Sequence, residues 1–230
     1  MSERAGEARA KDVASALHDV AALGGFFVLS TTMDRHAGPH ESGQLSPAVF
    51  AALAETVNER YATDEARIGV SIAHLGLAAR LWSPVLACTL LHGIVLDLSS
   101  LQWSEGGPAL HLADPVGRYT TGLPSVSQQM YAEVNQRMEA LENQLAVKIS
   151  PRLLDGNMAS ALLGSASMLL RTQPDLRAPL THLTMDLLAT GRLRGTGHIT
   201  GPDLTFRRRS CCLYYRAPGG GKCGDCCLVN

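Results

Sequence analysis

Five of the six cysteines fall within the last twenty residues, at Cys211, Cys212, Cys223, Cys226 and Cys227. Thiolates are soft donors, so a crowd of them on so short a segment points to zinc, an iron–sulfur centre or thiol redox chemistry. Their order is Cys-Cys, ten residues, Cys, two residues, Cys, with Cys227 following directly. The Cys223-Gly-Asp-Cys226 half is a turn that can aim two sulfurs at one metal, with Gly224 letting the backbone curl close. The Cys211-Cys212 half is less usual, because adjacent side chains of an extended strand point to opposite faces. Both sulfurs reach one site only if the strand ends there. Ala217-Pro218-Gly219-Gly220-Gly221 supplies the turn between the halves at small loop-closure cost. A zinc ribbon normally draws on two Cys-x-x-Cys knuckles, and this chain has one knuckle and one vicinal pair. On spacing, all three chemistries stay open.

The compartment bears on that choice. The N-terminus alternates charges where a signal peptide needs a basic patch and an apolar stretch, so the expectation is a cytosolic chain. Cytosolic thiols are kept reduced, which favours metal ligands or redox groups over a disulfide framework. No run reaches the 18 or so unbroken apolar residues of a membrane span; the most apolar stretch, Val85 to Leu98, is interrupted by Thr89, His92, Gly93 and Asp97 and reads as core. With a net charge of −1 and a pI near 6.7 the chain has no electrostatic footprint for nucleic acid.

The elements that must position the cysteines are mostly helical. Val13, Leu17, Val20 and Ala21 share one face of a short helix that stops near Gly24-Gly25. Ser46-Pro47 starts a second, with Val49, Leu53, Val57 and Tyr61 as its stripe. A third begins at Asp64 and sends Ile68, Ile72 and Leu75 toward the core, and Ser83-Pro84 repeats the cap pattern before a short buried helix. From Ile94 the run Ile-Val-Leu-Asp-Leu-Ser-Ser-Leu, a turn at Glu105-Gly106-Gly107-Pro108 and Ala-Leu-His-Leu read as a hairpin. Val126, Met130, Val134, Met138, Leu141 and Leu145 mark the best-defined helix. Ser150-Pro151 opens a helical stretch to Leu170, broken at Asp155-Gly156-Asn157, and Pro174-Asp175 opens one to about Ala189. Gly191 to Gly201, with four glycines, reads as a hinge or linker. Leu204, Phe206 and Arg208 then alternate in a strand leading into the cysteines.

The fold class expected is α+β: a predominantly helical domain over 1–201 with a hairpin near 94–113, and a small cysteine-rich hairpin subdomain over 202–230.

The segment Arg209-Ser210-Cys211-Cys212-Leu-Tyr-Tyr215-Arg216-Ala-Pro218, followed by Cys223-Gly224-Asp225-Cys226, resembles the C-terminal signature of the FhuF-type ferric-siderophore reductases. The likeness is specific over about twenty residues, and Pro151-Arg-Leu-Leu-Asp-Gly-Asn157-Met-Ala-Ser160 is weakly similar to a further family segment. The resemblance implies that Cys211, Cys212, Cys223 and Cys226 bind a [2Fe-2S] cluster and that one electron passes to siderophore-bound Fe(III), releasing Fe(II) in the cytoplasm. It further implies a ferric siderophore as substrate and a step that follows siderophore uptake; with the charge and N-terminal readings above, the expected partners are that chelate and a protein electron donor such as a ferredoxin, with no nucleic acid, in a cytoplasmic place with transient association with the membrane importer. Rival readings are a non-redox module stabilised by zinc and an iron–sulfur redox or iron sensor.

Other residues carry weaker expectations. Cys227 lies outside the four-ligand pattern and reads as a spare thiol beside the site. Arg207, Arg208, Arg209 and Arg216 surround the cysteines with positive charge, which raises the potential of an anionic cluster or receives an acidic donor. Tyr214 and Tyr215 are expected to pack the hairpin onto the helical domain, Trp82 and Trp103 to fill core or interface, Cys88 to be a buried small hydrophobe. Of the eight histidines, His36 and His40 alone have helical metal-site spacing, inside a Gly/Pro loop. Asn157 reads as a cap, or as a brace on the siderophore side. No Gly-x-Gly-x-x-Gly turn joins a strand to a helix, so electrons are expected from outside the chain.

Overall fold

The structure, a computed structural model, describes residues 6–31, 46–103 and 109–228. It is α+β, as the periodicities require. Two long helices form its spine: α3 (Ala66–His92) and α5 (Pro151–Thr172), which pack along each other over the largest helix interface in the molecule. Around them lie α1 (Ala10–Ala21), α2 (Pro47–Arg60), α4 (Val126–Glu142) and α6 (Arg177–Leu188). The buried faces of α1 (Val13, Leu17, Val20) and α4 (Met130, Val134, Met138, Leu141) are those the sequence pattern predicts. On α2 the buried face is one position over, on Phe50 and Ala54, with Val49, Leu53 and Val57 half-buried beside it.

Two expected breaks do not occur. Ser83-Pro84 lies inside α3 rather than at a start. A mid-helix proline removes one backbone bond, yet every residue from Leu81 to Thr89 is buried, so packing holds the helix straight through it. Ser83 donates instead to the Ser165 hydroxyl on α5 (2.8 Å). Asp155-Gly156-Asn157 is likewise continuous helix within α5. Both spine helices are long and apolar enough to cross a membrane, but 72% of the most apolar window of each is buried within the protein. They serve as core.

The strands are short. β1 (Glu7–Ala8), β2 (Ile94–Leu96) and β5 (Gly117–Tyr119) form an antiparallel sheet in the order β1-β5-β2. β3 (Leu101–Trp103) pairs with β4 (Leu110–Leu112), with Leu101 opposite Leu112. The predicted single strand from Ile94 is therefore two, and only its second half makes the expected hairpin. The first half pairs with β5. The predicted turn at 105–108 lies outside the described residues. Gly191 to Gly201 is not a bare linker: it holds a 3-10 turn at Gly191–Leu193 and β6 (Gly197–Ile199), which pairs antiparallel with β7 (Phe206–Arg208).

A buried polar network joins the helix ends. His74 on α3 donates from Nε2 to the Glu142 carboxylate on α4 (2.7 Å), and Arg192 clamps both Glu142 oxygens (2.7 Å each) and Asp155 on α5 (2.6 Å). Burial holds His74 below its ordinary range, so it is neutral, and its Nδ1 has no partner among the described residues. Burial alone would push Glu142 up, but the bonds from His74 and Arg192 outweigh it and hold the carboxylate below its ordinary range.

As pH falls through 6.5, the ordinary His74 value, the unfolded chain takes up a proton that folded His74 resists; below 4.5 the same holds for Glu142. Both contributions are full above those values and are lost toward acid. The melting temperature is expected to drop between about pH 7.5 and about pH 5, and His74→Gln to flatten that slope. Parallel slopes in thermal denaturation would contradict the assignment.

Candidate metal centre

One face of α5 is built to receive the C-terminal segment. Leu153, Gly156, Asn157 and Ser160 recur at three- and four-residue steps, so they line one side of the helix. A Cβ at Gly156 would overlap the Ser210 hydroxyl and come within 2.8 Å of Arg208 Nη2. Glycine is required there by close approach rather than by backbone angle. Ser160 donates to the Asp225 carboxylate, and the Arg208 N–H donates to the Asp225 carbonyl (3.0 Å), so the Cys-Gly-Asp-Cys turn is tied to both α5 and β7.

Asn157 lies inside α5 and is not a cap. Fully buried, it donates from Nδ2 to the Ser71 carbonyl (2.9 Å) and hydroxyl (3.2 Å) on α3, and its Oδ1 accepts from Arg208 Nη2 (2.8 Å). Ser71 in turn donates to the Cys212 carbonyl (2.7 Å). A single buried relay therefore runs from Arg208 through both spine helices to the vicinal cysteines. Arg208 is only 1% exposed, and its acceptors are neutral: Asn157 and the Leu153 carbonyl (3.4 Å). Its Nε and Nη1, and the Ser210 hydroxyl, have no partner among the described residues. A buried guanidinium without a carboxylate is costly unless another anion compensates it. Cys212 feels both the positive field of Arg208 and the opposing field of the Asp225 carboxylate, so the anions that share this site with Arg208 are the thiolates and Asp225.

The cysteines sit beyond the end of β7, as a shared site for a vicinal pair demands. The strand ends at Arg208, the chain bends at Arg209-Ser210, and Leu213 in a left-handed conformation (φ 68°) starts the 3-10 turn Tyr214–Arg216. That bend lets the Leu213 N–H donate to Cys211 Sγ (3.3 Å). Leu228 N–H donates in the same way to Cys226 Sγ (3.4 Å), and Tyr214 N–H to Cys212. The chain returns through Gly219 (φ 69°), and a Cys226 N–H bond to the Cys223 carbonyl (3.1 Å) closes the last turn. Gly224 has open space around it, so nothing in the structure explains a glycine there.

Cys212 and Cys223 are brought together, with sulfurs 3.5 Å apart. Their contact acts in opposite directions on the two thiols: with the Tyr214 N–H and Arg208 it pulls Cys212 down, and it drives Cys223 up. Cys211 is pushed up by burial and by the negative charges of Cys212, Cys227 and Cys226. All five thiols are free, and Cys212 and Cys226 are buried. Neighbouring thiolates that raise Cys211 and Cys223 are relieved by a cationic metal centre. Among the described residues no group of three or more His, Cys, Asp or Glu side chains is already closed around a metal position. Four cysteines, N–H groups aimed at three sulfurs and a buried cation make a donor set that fits a [2Fe-2S] cluster, whose thiolates are spread over two irons.

The remaining candidates separate by burial. Tyr214 packs edge-on to Tyr61 (centroids 5.5 Å apart, planes at 72°), pinning the turn to the end of α2, whereas Tyr215 is exposed. Arg216 pairs with Glu65 (2.8 Å), Arg207 is half-buried and Arg209 is exposed. Trp82 is core and Trp103 packs against it. Cys88 is buried, its thiol pushed up to about 12 by desolvation. His36 and His40 lie outside the described residues. Sequence reasoning missed Ser71, Ser160 and the burial of Arg208; the one signal was the three- and four-residue spacing of 153, 156, 157 and 160.

Gly156→Ala tests the docking by sign. Helix propensity alone predicts a gain of about 1 kcal/mol, whereas overpacking against Ser210 and Arg208 predicts a net loss of about 1–3 kcal/mol. Chemical denaturation is expected to show the loss; a gain would contradict the close packing.

Residues 208–228 match the family model described as the FhuF 2Fe-2S C-terminal domain. No curated protein and no solved structure gives a match. The matched segment begins at the buried Arg208 and takes in all five clustered cysteines, and the match supports a [2Fe-2S] cluster as the group they hold.

Proposed function

We propose that the chain is a ferric-siderophore reductase that passes one electron to siderophore-bound Fe(III) and so releases Fe(II) in the cytoplasm. The observation that carries this reading is the coincidence of the matched segment with a pre-arranged thiol nest docked on a buried cation. When bound, a [2Fe-2S] cluster supplies a one-electron carrier held by four thiolates. Cys211, Cys212, Cys223 and Cys226 are the proposed ligands, and Cys227, outside the Cys-Cys, ten residues, Cys, two residues, Cys pattern, is the proposed spare thiol. The N–H groups of Leu213, Tyr214 and Leu228 and the guanidinium of Arg208 favour the more negative, reduced state. Hard oxygen donors hold Fe(III) far more tightly than Fe(II), so a single electron turns a tight chelate into a labile one. The donor is proposed to be a small redox protein such as a ferredoxin, and the site of action the cytoplasm, in passing contact with the importer that delivers the chelate.

Pre-reduced protein mixed anaerobically with ferric siderophores under an Fe(II) trap is expected to reoxidise and to yield about one Fe(II) per cluster. A colourless protein holding one zinc would sink the reading. A cluster that stays reduced before every chelate would favour a sensor. Within the site, Cys226→Ser is expected to lose the visible spectrum and Cys227→Ser to keep it; the reverse result would exchange their roles.

A further inference from the structure

Beside the cysteine segment lies a cleft of about 320 Å³. Arg152 and Asp155 reach it from α5, Arg192 and Arg194 from the turn after α6, and Arg209 and Ser210 from the segment after β7. The four arginines are not equivalent. Arg192 is more than balanced by Glu142 and Asp155, so that group brings one carboxylate in excess to this side of the cleft, set against the three remaining arginines. Arg194 donates only to the Ala189 carbonyl (3.0 and 2.8 Å) and Arg209 only to the Gly195 carbonyl (3.3 Å), while Arg152 has no partner among the described residues. All three are exposed. Three cations without a carboxylate partner thus converge on one concavity, in a chain whose net charge is −1. Like charges gathered this way repel one another unless an anion is taken up between them.

We propose that this cleft binds an anionic metal chelate with catecholate or carboxylate oxygen donors. The volume is that of a small-molecule pocket, roughly 300–1,000 Å³, which favours one arm or edge of a chelate over a protein surface. Planar guanidinium forks pair bidentately with catecholate and carboxylate oxygens and discriminate against neutral hydroxamate chelates. Ser210 lines the cleft and is covalently followed by Cys211, so a chelate seated there lies beside the cysteine nest. The assignment rests on the reductase reading for the identity of the metal, and on the arginines alone for the charge.

The two parts are separable by experiment. Calorimetry on the cluster-loaded protein uses gallium(III) tris-catecholate, a redox-inert stand-in for the ferric chelate, with the neutral gallium(III) tris-hydroxamate and inorganic phosphate as the other arms. The catecholate is expected to bind one to one and more tightly than either. Arg152→Gln/Arg194→Gln is expected to weaken it by about tenfold with the visible spectrum unchanged, and about 0.5 M salt to weaken it similarly. Equal affinity for the neutral chelate, indifference to the double substitution, or phosphate binding as tightly as the chelate would each overturn the proposal. Ferric tris-catecholate that binds but fails to reoxidise the reduced protein would leave the cleft assigned and defeat the reductase reading instead.

Discussion

A buried guanidinium with only neutral partners organises this protein. Arg208 is taken out of water at the end of β7, and the described structure offers it Asn157 and one carbonyl where a carboxylate is normally needed. The cysteine nest begins three residues further on, and the field of Arg208 reaches Cys212 there. The same contact fixes Asn157, which fixes Ser71, which holds the Cys212 carbonyl. The charge that costs most to bury is thus also the clasp that seats the metal-binding segment on the helical body.

That clasp constrains the rest of the fold. The relay spans α3 and α5, so those helices must hold a fixed register against each other, and their unbroken apolar packing through Pro84 and Gly156 does so. At the other side of α5 the His74–Glu142–Arg192–Asp155 network ties the ends of α3, α4 and α6 to the same helix. Arg192 in that network forms one wall of the basic cleft, so the element that braces the core also borders the surface on which substrate is proposed to dock.

Much of this was legible in the sequence where one interaction dominates. The vicinal pair with a Cys-x-x-Cys turn announced a metal centre, and the rule that adjacent strand residues face apart correctly required the strand to stop before Cys211. The apolar period of α4 gave its buried face residue by residue. The failures share one cause. Ser83-Pro84 and Asp155-Gly156-Asn157 carry local signals for a cap or a break, and tertiary contacts reassign them: Ser83 to Ser165, Gly156 to Ser210 and Arg208, Asn157 to Arg208 and Ser71. The glycines of 191–201 read as a linker because the strand partner that orders them, β7, lies ten residues on. Alternation put Arg208 on the face of Leu204 and Phe206, apart from Arg207 and Arg209, but it gives a residue's face and not the depth at which that face is buried.

The central claim is that Arg208 is the internal counter-charge of a [2Fe-2S] centre. Its direct test is the midpoint potential of the loaded protein with Arg208 intact and in Arg208→Met, which keeps the side-chain bulk and removes the charge. Loss of a buried cation beside the centre is expected to lower the potential by at least about 60 mV, the one-electron equivalent of about 1.4 kcal/mol. An unchanged potential in a variant that still binds its full complement of iron would contradict it.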